Sequence, residues 1–155
     1  MKKDTLLSDA GVSEIELVYK SKVKYSQQPK IKTSKDIYRV LIKVWEDDKI
    51  DFIEQFKVVL LNRSNMVIGV VNVSSGGVTG TVADPKVILA AAIKSNSVNI
   101  VLAHNHPSGN TNPSTADEEL TYKIKEAAKF HDLKVLDHLI ITREDYYSFA
   151  DEGLM

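Results

Sequence analysis

At 155 residues, 43% hydrophobic and 26% charged, the chain is long enough to bury roughly 68–70% of its unfolded surface around one core without a staple. Its 20 basic and 21 acidic residues nearly cancel, so no global field argues for nucleic acid or a membrane surface as partner. It has no cysteine, which excludes disulfides, thiolate metal sites and the Cys-pair signature of cytidine deaminases, and suits a reducing, cytoplasmic setting.

Lys2 and Lys3 are followed by Asp4 with no apolar stretch behind them, so no secretory signal is read, and the longest apolar run, residues 87–93, is too short to span a bilayer. Residues 1–11 read as a polar, frayed start. Residues 14–19 and 22–25 alternate apolar with polar side chains, which predicts two short strands, as a hairpin or as one bent strand. Lys20, Lys22, Lys24, Lys30, Lys32 and Lys35 fall in a window without an acidic residue. Such a window reads either as a phosphate-contacting patch or as a solvated edge guarded by lysines. Tyr25 is the one aromatic interleaved with them, so the solvated edge is the preferred reading.

Thr33 or Ser34 caps a predicted helix whose apolar residues Ile37, Val40, Leu41 and Val44 fall at i, i+3, i+4 and i+7, and Asp47-Asp48 ends it. Residues 52–61 and 66–73 flank the turn at 62–65 and predict an antiparallel hairpin. Ser74, Ser75, Gly76, Gly77 and Gly80 read as a flexible loop, with plain turn chemistry as the other reading. Asp84-Pro85 opens an alanine-rich helix through residues 87–93. An apolar strand at 98–103 follows, then a helix after Ser114 burying Leu120, Ile124, Ala127 and Ala128. A strand at 133–141 comes next, and a last short helix, capped at 142–145, reaches Phe149. This mixture predicts a three-layer α/β sandwich around a mixed sheet.

The chemistry is concentrated at His104-Asn105-His106-Pro107-Ser108-Gly109, followed by Ser114 and Asp117. Two histidines at i and i+2 on an extended backbone share one face. The prolines and glycine behind them force a turn, and Ser114 with Asp117 reads as a helix start. Two imidazoles opposite a carboxylate make a three-ligand zinc geometry with the fourth position open to water. Taken singly, the parts have plainer readings: H-x-H as hydrogen-bonded surface histidines, and Ser114 with Asp117 as a capping box.

On this string the chain resembles the RadC branch of the JAB/MPN metallopeptidases, whose JAMM motif has the form H-x-H…S-x-x-D. The likeness runs from about Ile31 to the C-terminus and includes E-Q-F-K-V-V-L-L-N at 54–62, S-S-G-G at 74–77, Asp137-His138 and Y-S-F-A at 147–150. It divides the chain into an N-terminal extension with strand-like segments, residues 1–30, and a RadC-type JAB/MPN domain, residues 31–155. The resemblance implies a cytidine-deaminase-like α/β fold and a zinc-dependent metallohydrolase, a protease-like enzyme cutting amide or isopeptide bonds, with one zinc per chain. It implies His104, His106 and Asp117 as zinc ligands. It implies Glu54 as the general base that takes a proton from the zinc-activated water and passes it to the leaving amine. It implies Ser114 as a donor to the oxyanion, a role worth about 10²–10³ in rate. Without the resemblance Glu54 is one acid among many at a strand edge. Asp137 and His138 face opposite sides of their strand, so one can support a zinc histidine while the other faces a helix layer or solvent; a purely structural pair is the other reading. His131 suits a helix C-terminus.

A rival function is a DNA-associated module of repair or mobile-element biology, acting by binding or as a nuclease, since the resembled family carries a DNA-repair label. The helix-hairpin-helix region found ahead of this domain in longer RadC proteins is not recognisable here, which weakens that reading. The literal H-N-H tripeptide is not the HNH nuclease motif, whose residues spread over a ββα unit. The expected partner is a peptide or isopeptide substrate. Binding of DNA or RNA through the lysine window would fall steeply with salt, in proportion to the phosphates neutralised. The expected result of a salt titration is weak, non-specific binding or none; tight, sequence-selective binding at physiological salt would overturn the solvated-edge reading.

Overall fold

The computed structural model describes residues 9–13, 15–16, 18, 20–77 and 82–155. Strands β1 (Gln55–Leu61) and β3 (Asn99–Asn105) form the middle of the sheet. Every residue of β1 is buried, and every residue of β3 after Asn99. Strands covered on both faces carry near-continuous apolar runs rather than alternation, and F-K-V-V-L-L and I-V-L-A are such runs. With β2 (Val67–Ser75), β4 (Lys134–Ile141) and β5 (Tyr146–Ser148) the sheet runs in the order β2-β1-β3-β4-β5. Only β3 and β4 pair in parallel.

Helix α1 (Ser34–Val44) is held at its start by a reciprocal Thr33–Asp36 capping box. It covers one face of the sheet, where Ile37, Leu41 and Trp45 pack with Val59, Leu61, Val101, Ala103, Leu139 and Ile141. Helices α2 (Pro85–Lys94) and α3 (Thr115–Lys129) cover the other face, where Ile88, Ala92, Ile124 and Ala128 meet Phe56, Val58, Leu60, Ile100 and Leu102. The expected three-layer α/β sandwich is therefore present, with α3 as the crossover between the two parallel strands. Lys57 is a buried cation in the α1 layer. Its ammonium reaches Asn72 Oδ1 and lies 4.8 Å over the Trp45 ring, and burial depresses its pKa.

One irregularity decides where the later residues of β4 point. Ile100 pairs with Val135, but Val101 pairs with Asp137, so Leu136 is an extra residue in β4. Such a bulge reverses the alternation beyond it. Val135 faces the α2–α3 layer, whereas Leu139 and Ile141 face α1. Asp137 thus points to the α1 side and His138 to the α2–α3 side.

Local expectations fail at four places, three of them for a tertiary or turn-level reason. Residues 22–25 form no strand: Ser21 Oγ donates to Val23 O at 2.7 Å and bends the chain, and Tyr25–Gln27 is a 3₁₀ turn. Of the expected strand at 14–19, positions 14, 17 and 19 lie outside the described residues, and the others carry no strand. The lysines at 20, 22, 24, 30, 32 and 35 are all exposed; of the window, Lys30 makes an isolated bridge to Met66. The final segment is strand β5, not a helix. Thr142 N donates to Asp145 O at 2.8 Å and closes a tight turn, and Tyr146-Tyr147-Ser148 then pairs back on β4. Aromatic residues fit a pleated, half-buried edge better than a helix. Lastly, β1 starts at Gln55 rather than 52, because Ile50 N and Ile53 N bond back to Glu46 O and Lys49 O in successive turns.

Among the described residues no helix is long and apolar enough to cross a membrane. Leu41 is fully buried between α1 and the sheet. Leu41→Ala is expected to lower the unfolding free energy by about 2–5 kcal/mol, read from the urea midpoint at constant slope.

Candidate metal centre

His104 is the second-last residue of β3, and His106 follows the strand's end. Strand alternation sends both side chains to the α2–α3 side, and their Nε2 atoms come within 3.0 Å of each other. His106 Nδ1 lies 2.6 Å from Asn110 O. A carbonyl can only accept, so Nδ1 carries the proton and Nε2 presents a lone pair. The loop makes this contact by turning at Gly109, whose φ of +83° favours glycine.

Asp117 comes from the first turn of α3. Ser114 caps that helix: its Oγ accepts from Asp117 N at 3.2 Å, and its own N–H donates to Asp117 Oδ2 at 2.7 Å. The cap leaves Asp117 Oδ1 3.3 Å from His104 Nε2 and Oδ2 3.9 Å from His106 Nε2. Burial pushes the Asp117 carboxyl up, but the facing His104 ring and the Ser114 cap outweigh it and hold it well below the usual range.

Glu54 stands one residue before β1. Its backbone oxygen accepts from Gly76 N at 2.8 Å, which ties it to the end of the hairpin. Its Oε1 is 3.8 Å from His104 Nε2. Burial raises its carboxyl above the ordinary value, opposed by His104 and His106. Glu54, His104 and His106 each offer one ligand atom within 4.8 Å of the others, a group that could hold a metal ion.

The donor chemistry suits zinc, which takes imidazole nitrogen and carboxylate oxygen. Ligand atoms roughly 2.0–2.1 Å from a tetrahedral zinc stand about 3.3 Å apart. The two histidine nitrogens at 3.0 Å, and His104 Nε2 with Asp117 Oδ1 at 3.3 Å, stand near that spacing, while His106 Nε2 lies 3.9 Å from the other Asp117 oxygen, Oδ2.

Behind this cluster stands His138, brought to the same face by the bulge. Its Nε2 is 2.8 Å from His104 Nδ1 and its Nδ1 is 2.6 Å from Thr121 Oγ1. Phe149 stacks on its ring at 4.7 Å, and burial holds its pKa well below the usual value. Asp137 turns the other way. Its carboxylate accepts from His138 N, Ala150 N and Ser148 Oγ at 2.7, 3.0 and 2.6 Å, so it fastens the tail rather than the histidines. Burial raises its carboxyl despite those bonds. His131 is exposed just past α3.

Two residues that sequence reasoning passed over complete the surroundings. Thr121 lies one turn beyond Asp117 on the buried side of α3, among apolar residues that hide it in a pattern search. Asn105 sits between the two histidines and points to the opposite face. Its Oδ1 accepts from Gln55 N at 2.7 Å, and its Nδ2 donates to Ile50 O and Ile53 O at 2.8 and 2.9 Å. These bonds bracket Glu54. An asparagine ending a buried apolar strand is the available signal, since a buried amide must find partners.

A family described as RadC-like JAB domain matches residues 31–154. Among curated relatives, a UPF0758 protein of Flavobacterium johnsoniae is 48% identical over 101 residues, 65% of this chain and 44% of that protein. A UPF0758 protein of Porphyromonas gingivalis is 45% identical over 103 residues, covering 66% of this chain and 45% of its own length. The UPF0758 protein YfjY of Escherichia coli is 37% identical over 102 residues, 66% of this chain and 64% of that protein. The chain thus spans less than half the length of the first two, and these names state no reaction.

Asn105→Ala removes the shared partner of one buried N–H and two carbonyls around Glu54. Chemical denaturation should show a loss of about 1–3 kcal/mol. Parent-like stability would mean that these bonds do not hold the segment.

Proposed function

The chain belongs to the RadC-like JAB domain family, and on that premise we propose that it is a zinc-dependent hydrolase cutting an amide or isopeptide bond in a peptide substrate. The observation that carries this reading is the convergence of His104 Nε2, His106 Nε2 and the Asp117 carboxylate on one point, with a second carboxylate, Glu54, beside them. When bound, zinc supplies a Lewis acid that brings the pKa of water down to about 7 and polarises a carbonyl.

In this reading the two histidines and Asp117 hold the metal. The low pKa of Asp117 keeps it anionic and ready to ligate. Glu54 stands farther from His104 than Asp117 does, at 3.8 against 3.3 Å. That position suits a base reaching the attacking water: it accepts the water's proton and delivers it to the leaving amine. Partial burial raises its basicity, the direction a proton carrier needs. Ser114 caps α3 through an oxygen lone pair, and its one hydroxyl proton can turn from the Asp117 carboxylate to donate to the developing oxyanion.

Elemental analysis should find one zinc per chain. Glu54→Gln keeps a hydrogen-bonding group but cannot take the proton. It should retain zinc and slow hydrolysis of a peptide or isopeptide panel by roughly 10²–10⁴. Asp117→Ala and His104→Ala should lose metal and activity together. An emptied site in Glu54→Gln would make Glu54 a ligand and sink the assignment, and a parent-like rate would place the base elsewhere.

A further inference from the structure

We infer that His138 and Thr121 are positioning residues that lock the tautomer of His104 and hold its Nε2 lone pair toward the metal position. The inference rests on the zinc-centre reading above and deepens it.

The direction of the chain of bonds follows from an atom that has no proton to give. Thr121 Oγ1 lies 2.6 Å from the backbone oxygen of Asp117. That oxygen can only accept, so the threonine hydroxyl donates to it. A hydroxyl has one proton, so Thr121 Oγ1 faces His138 Nδ1, at 2.6 Å, as an acceptor. His138 Nδ1 therefore carries a proton. The ring is fully buried, and its two nitrogens face His104 and Thr121, not a carboxylate. A second proton would make an unpaired buried cation, so the ring is neutral and its Nε2 is a lone pair. His104 Nδ1, 2.8 Å away, must then donate. His104 is left with its lone pair on Nε2, the atom 3.0 Å from His106 Nε2 and 3.3 Å from Asp117 Oδ1.

The reverse order is disfavoured at its first link. It would set a threonine lone pair against the Asp117 carbonyl at 2.6 Å. It would also put a proton on His104 Nε2, where a metal has to bind. Packing holds the relay in place. Phe149 stacks on His138 at 4.7 Å and 16°, and Phe56 meets the ring edge-on at 5.6 Å. The relay starts on the carbonyl of Asp117 and ends on His104, so it joins a ligand from α3 to a ligand from β3 behind the site.

Thr121→Val keeps the shape and removes the hydroxyl, while Thr121→Ser restores it. Zinc affinity, measured by competition with a chromophoric chelator, should fall about 10–100-fold in Thr121→Val and stay near the parent in Thr121→Ser. Nitrogen-15 NMR of the metal-free parent should show His138 protonated on Nδ1 and His104 on Nδ1. Parent-like affinity in Thr121→Val, or equal losses in both variants, would overturn the inference. So would an Nε2-protonated His138 in the parent, whatever the metal result. A parent with the expected tautomers that takes up no zinc would uphold the relay and sink the zinc-centre reading instead.

Discussion

Two imidazole nitrogens facing each other at 3.0 Å define a place that favours positive charge, and much of the surrounding structure serves to keep them there. Their separation follows from strand geometry: residues two apart on an extended backbone stand on one face. What strand geometry does not supply is rotation of the rings. For His106 the loop provides it, through Asn110 O. For His104 a packed wall of Phe56, His138 and Phe149 provides it. The negative charge opposite them comes from a residue already occupied with another task. Asp117 closes the cap of α3 while it faces both histidines, so starting the helix and completing the cluster are one event.

The sheet separates chemistry from anchoring. On the α2–α3 side, His104, His106 and His138 present titratable nitrogens to one another. On the α1 side, Asn105 and Asp137 use polar side chains to tie down backbone. Asn105 fixes the turns that deliver Glu54, and Asp137 fixes the tail that carries Phe149. Each anchor is the chain neighbour of a histidine. An anchor and its histidine are one peptide unit apart, so the precision of the cluster depends on polar contacts on the far face of the sheet.

What could be read in the sequence were the features that depend on local chemistry. The Thr33 and Ser114 caps, the Asp84-Pro85 helix start, the α1 stripe apart from the exposed Val44, and the apolar runs of β1 and β3 appear in the structure as their residues suggest. So does the crowding of His104, His106 and Asp117, because strand alternation and a helix cap are short-range rules. Glu54 was legible only through family resemblance. It lies 50 positions before His104 in the chain, and only the β1–β3 pairing brings the two together. Thr121, Asn105 and the side on which His138 falls were not legible. Each depends on a tertiary partner or on the extra residue at Leu136, which leaves no mark in composition or periodicity. The false strand at 22–25 and the false helix at 146–149 have the same origin: short segments whose state is decided by a turn or a neighbouring strand.

The order of these parts along the chain has a consequence for how the molecule is made. The histidines come at 104 and 106, but apart from Phe56 the groups that orient them come later, at 110, 117, 121, 138 and 149. A chain leaving the ribosome in sequence order exposes two unoriented imidazoles before any of those supports exists. The His104 ring is fixed only when β4 and β5 have joined the sheet and the wall behind it has closed. A cluster built this way is laid down from its histidines to its supports, so the orientation of its rings is a property of the finished fold and not of the motif that announces it.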